Sequence, residues 1–456
     1  LGVHRNTVLA AYAELAAEGW VVARPGGGTF VSELIPEARR FSTRAPLRRG
    51  LPLEPAFALR TDNDPGPALV PPNVPFPLLG GVPDLRHVPV ALLGRAYGRV
   101  LRRGPRRLLG YAAAEGEPRL REALSALVSR RRAVAARPEN VIVTRGSQMA
   151  LELAARALCA PGEAVAVEAL GYRPAWRVLA GAGARLLPVP VDRDGMVISA
   201  LAELARRERI RAVYVSPHHQ YPTTAVLAPG RRIELLELAR RERFAILEDD
   251  YDHEFHYDGR PVLPLASADV HGCVVYLGTL SKVLAPGFRL GFVVAPQKLV
   301  ERLARERFSV DRQGDHVLEA AVAELIEEGE LERHVRKMRR LYRGRRDALV
   351  NELERSLGAR FTPHVPAGGM ALWGRIQGGI DAEDWRERAA ARGVVFMRAR
   401  DFAFDGRSRP FARLGFAALD ERELAQAARL LAEAWPERTP RRPARRGRSN
   451  SRRGSG

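Results

Sequence analysis

The chain predicts an α/β protein with a mostly parallel central sheet and a smaller C-terminal α+β subdomain. Three observations carry that expectation. From about residue 76 to 435, helical and β-rich stretches alternate, which is the rhythm of strand–helix–strand crossovers. The β-rich runs are continuously apolar, as strands covered on both faces are: Val141-Ile142-Val143-Thr144, Ala164-Val165-Ala166-Val167, Ala212-Val213-Tyr214-Val215, Ala245-Ile246-Leu247, Val274-Val275-Tyr276 and Gly291-Phe292-Val293-Val294. Finally, Leu299 to Arg355 is long, helical and charged, as expected of helices that bridge to a second, smaller layer.

Residues 1–32 form a separate small unit. Thr7 to Glu18 has helical spacing, with Val8, Ala11, Tyr12 and Leu15 on one face, and Gly19 ends it. Trp20-Val21-Val22 and Thr29-Phe30-Val31 are strand-like runs around Arg24-Pro25-Gly26-Gly27-Gly28. A helix followed by a glycine-tipped hairpin is the back half of a winged helix-turn-helix. The pattern starts part-way through at Leu1, so this head is expected to be truncated. Residues 33–75, rich in Pro and Arg, read as a linker. In the body, Pro118 to Arg132 and Gln148 to Leu158 read as helices. Residues 436–456 carry arginines among Pro, Gly and Ser and read as a disordered basic tail.

Composition narrows the function classes. No apolar run approaches the roughly 18 residues of a membrane span. Cys159 and Cys273 form neither a disulfide framework nor a metal spacing, so core thiols in the cytoplasm are expected, and no metal. The net charge of +20 at pH 7 points to an anionic partner. The basic tail fits both electrostatic contact with nucleic acid and a plain solvated segment.

Only three lysines stand in a chain that otherwise takes its positive charge from arginine: Lys282, Lys298 and Lys337. Lysine can lose its proton and attack a carbonyl carbon; arginine effectively cannot. Lys282 follows Gly278-Thr279-Leu280-Ser281 and precedes Arg289, a reactive amine among hydroxyls with a guanidinium seven residues on. That suits a Schiff-base lysine for pyridoxal 5'-phosphate. Such a site also needs a carboxylate for the ring nitrogen, donors for the phosphate and a flat group against the ring. Asp249 and Tyr251 follow the run Ala245-Ile246-Leu247, where ligands sit at strand ends; an acidic loop there also fits a solvated turn or a metal site. Gly146-Ser147-Gln148 opens a helix, whose N–H groups attract anions, although most such starts are ordinary caps. Arg289 and Thr279 would complete the phosphate cup. Tyr172 could stack on the ring or be a rim aromatic.

The ordered strings Gly146-Ser147-Gln148, Gly171-Tyr172, Pro217-His218-His219-Gln220-Tyr221-Pro222, Asp249-Asp250-Tyr251 and Ser281-Lys282 to Pro286-Gly287-Phe288-Arg289 resemble the fold-type I, aminotransferase-like pyridoxal phosphate proteins over roughly 76–435. The resemblance implies that Lys282 is the aldimine lysine, that Asp249 pairs with the ring nitrogen and that Tyr251 pairs with the phenolic oxygen. It assigns Ser147, Gln148, Thr279, Ser281 and Arg289 to the phosphate, Tyr172 to stacking and Arg413 to an amino-acid carboxylate. Tyr111 would reach the phosphate of a neighbouring subunit, which implies a homodimer. Residues 1–32 resemble the end of a GntR-type winged helix, with His4 where Ser is usual. By that likeness Arg5, Asn6 and Thr7 face DNA from the helix start, and Arg24, Gly26 and Thr29 from the wing.

Joined, the halves resemble the MocR subfamily of GntR transcriptional regulators. Two departures from simple aminotransferases stand out: Tyr221 stands where Asn is usual before the proline, with Thr224 where Gly is usual, and Ala169-Leu170-Gly171-Tyr172 lacks the acidic-Pro pair often seen there. Tyr221 resembles the regulators more than the enzymes. The expected function is therefore a DNA-binding regulator in which an amine or amino acid displaces Lys282 from the cofactor, forming an external aldimine. The alternative is a metabolic aminotransferase with an inert head, and a pure nucleic-acid binder is weaker still. With its head short of a full winged helix, this chain is expected to bind double-stranded DNA poorly.

Overall fold

The computed structural model describes residues 2–33, 53–59 and 74–436. Most of the expected linker (33–75) and of the basic tail (436–456) therefore falls outside the described residues. The chain divides into two units, Leu1–Ala68 and Leu69–Gly456.

In the first unit a helix, Arg5–Ala17, precedes a hairpin of Val21–Arg24 and Gly28–Val31. His4 caps the helix: its Nδ1 accepts the Asn6 N–H at 3.3 Å, the service a serine hydroxyl usually gives. The strands pair antiparallel, with Arg24 opposite Gly28. Gly26 and Gly28 take φ of 78° and 96°, which a side chain would strain. No residue of the helix is buried, and Val8, Tyr12, Leu15, Val21 and Phe30 line an open groove.

The second unit is built on a seven-stranded sheet in the order Val141–Thr144, Gly291–Val294, Val274–Thr279, Ala245–Asp250, Ile210–Val215, Ala164–Glu168, Arg185–Val189. All strands run one way except Gly291–Val294, which opposes both neighbours. Alternate residues of each strand enter different clusters: Ala212 and Tyr214 join one core, Val213 and Val215 another. Both faces are thus covered, which explains the unbroken apolar runs. Each fully buried Leu, Val or Phe contributes roughly 1.5–3 kcal/mol.

One expectation needs correction. The sequence suggests a loop at Asp249, but its strand continues to Asp250, and Asp249 lies opposite Leu277. Three consecutive buried acids are tolerated there because each has a donor. Glu248 takes the N–H groups of Leu265 and Ala266, Asp249 the Tyr214 hydroxyl, and Asp250 the Tyr276 hydroxyl. The charged stretch after 299 is helical as expected and consists of three helices, Gln297–Val310, His316–Glu327 and Glu330–Leu357. The breaks fall at Arg312 and Gly329, with φ of 56° and 70°.

The smaller subdomain is an antiparallel sheet, Phe361–His364, Ala371–Ile376, Phe411–Gly415 and Met397–Arg398, packed with helices around the buried Trp385. An early segment joins it: Phe76–Pro77 pairs with Val394–Val395, and the Gly415 N–H donates to the Leu78 carbonyl. A Cβ on Gly415 would stand 2.2 Å from the Leu79 carbonyl oxygen, so only glycine lets this segment pass. The route delivers Gly80 and Gly81 to the site described next.

Candidate active site

Strand ends and one helix start converge on Lys282. Strand Val274–Thr279 leads into the turn that carries Ser281 and Lys282, and Arg289 closes that turn at φ 48°. The Ser281 N–H donates to Thr279 Oγ1 at 3.1 Å, and the Arg289 guanidinium donates to the Arg145 carbonyl at 3.1 Å. Helix Gly146–Leu158 starts against that guanidinium: a Cβ on Gly146 would lie 3.4 Å from Arg289 Cζ. Opposite Gly146 stands Gly291, whose Cβ would come within 2.9 Å of the Gly146 backbone, so two glycines permit the close approach of strand and helix. Ser147 and Gln148 occupy the first turn, where unpaired N–H groups and the helix dipole favour an anion.

The aromatic wall is continuous. Gln148 Nε2 donates to the Tyr172 hydroxyl at 3.3 Å. Tyr172 meets Tyr221 edge-on with ring centroids 5.3 Å apart. The Arg413 guanidinium lies 4.5 Å over the Tyr221 ring. Arg413 is fully buried; one of its terminal nitrogens donates to the Pro222 carbonyl at 2.6 Å, and its Nε has no partner. The same loop contains Thr224 at φ 62°, the conformation that explains why glycine is usual there. The Tyr251 hydroxyl donates to the His219 carbonyl at 2.9 Å.

Electrostatics set the reactive groups. Burial lowers the Lys282 amine, and Arg413 and Arg289 push it the same way, against Asp249 and Asp252. Burial pushes Asp249 up to about 6, opposed by the Tyr214 hydrogen bond at 2.5 Å. Glu168, also buried, is pushed up to about 8 by desolvation. The arrangement offers an amine whose charged form burial disfavours, a buried carboxylate, a helix start beside a guanidinium, and a second, buried guanidinium with its Nε unpartnered.

The sequence-predicted residues Gln148, Tyr172, Asp249, Tyr251, Thr279, Ser281, Lys282, Arg289 and Arg413 thus come together. Ser147 shares the helix start. Tyr111 is not joined to them: it is exposed, with Arg312 stacked 4.3 Å over its ring. The head residues Arg5, Asn6, Thr7, Arg24, Gly26 and Thr29 are exposed on the first unit. Sequence reasoning missed Tyr214, Glu168, Gly80 and Gly81. A Cβ on Gly81 would lie 3.5 Å from Lys282 Nζ, and one on Gly80 2.5 Å from Arg413 Nε. A Gly-Gly pair just before the helical region was the one available signal.

Comparison with known proteins settles the family. Residues 99–431 match the aminotransferase class I and II family. Over 95% of this chain and 87% of its own length, the probable rhizopine catabolism regulatory protein MocR of Rhizobium meliloti is 33% identical. The chain belongs to the MocR-type regulators. Its second unit also resembles solved enzymes. The multiple substrate aminotransferase of Thermococcus profundus is 31% identical with a TM-score of 0.74, covering 79% of this chain and 90% of that one. The α-aminoadipate aminotransferase LysN of Thermus thermophilus, complexed with N-(5'-phosphopyridoxyl)-L-leucine, is 30% identical with a TM-score of 0.73, covering 79% and 91%. The cofactor of this MocR-type chain is pyridoxal 5'-phosphate. The residues present fit it: Lys282 offers a buried amine, Asp249 a buried carboxylate near it, and Arg289 a guanidinium against the start of helix Gly146–Leu158. No helix of the described residues is long and apolar enough to cross a membrane.

Proposed function

We propose that this MocR-type chain is a DNA-binding transcriptional regulator whose second unit senses an amino acid. One observation carries the reading. The likeness to the regulator covers 95% of the chain, that to the aminotransferases 79%, and the extra share is about the size of the unit Leu1–Ala68. A metabolic enzyme has no use for a helix and glycine-tipped hairpin that display Arg5, Asn6 and Arg24.

When bound, pyridoxal phosphate supplies an aldehyde that condenses with amines and a ring that withdraws electrons. Lys282 is the amine that holds it, and burial keeps that amine nearer its neutral, nucleophilic form. Asp249 faces the ring nitrogen, with the Tyr214 hydroxyl steadying its carboxylate. Ser147, Gln148, Thr279, Ser281 and Arg289 hold the phosphate, Tyr172 covers the ring, and Tyr251 serves the phenolic oxygen. Tyr111 serves a second copy in a homodimer. Arg413, buried with an unpartnered Nε, binds the carboxylate of the effector and so selects amino acids over plain amines. Tyr221, packed beneath that guanidinium, holds its plane. An effector that binds the two states of the chain unequally shifts the DNA-bound population; equal binding shifts nothing.

The test is a screen of amino acids and amines for change in the visible spectrum of the purified chain, followed by assay for keto acid. A stable spectral change without keto acid supports the sensor. Sustained keto-acid release supports the second reading, a metabolic aminotransferase, which the likeness to two such enzymes favours.

A further inference from the structure

Behind the Asp249 strand lies a second concentration of polar side chains that the site above does not use. His218, His219, His253 and His256 are all buried, with exposures of 3%, 2%, 7% and 8%. The His218 ring packs against His219, with centroids 4.4 Å apart, and against His253 at 4.8 Å. One candidate ligand atom from each of His218, His219 and His256 lies within 4.8 Å of the others.

Their hydrogen bonding is the informative part. Neither ring nitrogen of His218 has a partner, and neither has His219 Nε2. A buried, unsatisfied polar atom costs roughly 1–3 kcal/mol, so such a group of them calls for a ligand. His219 is also oriented. Its Nδ1 lies 2.7 Å from Asp252 Oδ1, which fixes the tautomer and leaves Nε2 as the free lone pair. A carboxylate behind an imidazole is the arrangement that aims metal-binding histidines. Space is kept at that nitrogen: a Cβ on Gly368 would stand 2.6 Å from His219 Nε2. His253 is differently placed, its Nδ1 lying 3.0 Å from Asp250, which also accepts the Tyr276 hydroxyl.

We propose that His218, His219 and His256 form a metal site for a divalent transition ion of the zinc class, with Asp252 orienting His219 from behind. Three imidazoles are a donor set that zinc accepts, with a fourth position left for water or another group. Tetrahedral zinc with bonds of about 2.0–2.1 Å sets its ligands roughly 3.3 Å apart, so ligand atoms now within 4.8 Å of one another close by at most about 1.5 Å on binding. The ion would tie the Pro217–Thr224 loop to the turn after Asp250. Both serve the cofactor site, through Tyr221 and through Tyr251. No spacing motif announces the ligands, because they come from two loops more than thirty residues apart.

The experiment uses the full chain with its cofactor. Metal content is measured after purification without chelator, and the metal-stripped protein is titrated with Co²⁺ as a coloured probe and with Zn²⁺ for a shift in melting temperature. One ion per chain, cobalt absorption of a low-coordinate nitrogen site and a rise in melting temperature are expected. His256→Gln should lose the ion and the shift while keeping the cofactor's visible absorption, which reports that the fold is intact. His253→Gln should keep the ion. Failure of wild type to take up either metal, with the histidines satisfied by internal water, would overturn the site. So would an ion that survives His256→Gln, or one lost only with His253→Gln.

Discussion

The helix of the first unit and the sheet of the second treat the same kinds of side chain in opposite ways. Along Arg5–Ala17, Val8, Leu9, Tyr12 and Leu15 are apolar, yet none is buried, and Val31 of the hairpin is 82% exposed. Along Val141–Thr144 every residue is buried, and Ile142 and Val143 have no exposed surface. Local pattern is equally clear in both, but among the described residues only the second unit supplies its own opposing layers. The helix–hairpin therefore relies on whatever covers its groove, whereas the aminotransferase-like unit carries a core of its own. Small units bury too little apolar surface to be stable without added cover.

The largest effect should come from Lys282→Ala, which removes the only amine of the converged site. Borohydride treatment of the cofactor-loaded chain should then give no trapped adduct on this protein; an adduct on Lys298 would move the site elsewhere. Next in size, Leu151→Ala opens a cavity in the sheet's core and should cost about 2–5 kcal/mol in denaturant unfolding. Leu15→Ala in the head should leave the same transition within about 0.5 kcal/mol. Equal losses would break the contrast between the units. Arg413→Ala should weaken an amino-acid effector by about 100-fold, the worth of roughly 2–3 kcal/mol for a charged hydrogen bond, and leave a simple amine nearly unaffected.

Glu168 gives a pH dependence that sharpens the account of the core. Its folded value is raised, so between its ordinary 4.5 and about 8 the folded chain binds more protons than the unfolded one. Its contribution is full below that window and lost as pH rises through it. Melting temperature should fall from pH 5 to pH 8, and Glu168→Gln should flatten the slope; an unchanged slope would mean the carboxylate is ionised and paired. The smallest effect belongs to Arg5→Ala, expected to weaken DNA binding evenly across sequences and to reduce the salt slope by about 1.

The strands were legible because both sheet faces are covered, and continuous apolar runs say so. The site order was legible because Ser147 and Lys282 lie just past the strands Val141–Thr144 and Val274–Thr279, and Asp249 lies at the end of Ala245–Asp250. What stayed hidden depends on distant pairing. Asp249 looked like a loop residue because nothing local announces the Tyr214 hydroxyl that lets the strand continue. Gly80 and Gly81 were hidden because their role needs Gly415, more than three hundred residues on. The histidine group escaped notice for the same reason.

The most direct test of sensing measures the affinity of the full chain for its operator DNA with and without the amino acid that changes its visible spectrum. The amino acid should shift DNA affinity by about 5- to 150-fold, a coupling of roughly 1–3 kcal/mol, without sustained keto-acid release. Steady keto-acid production with unchanged DNA affinity would contradict sensing.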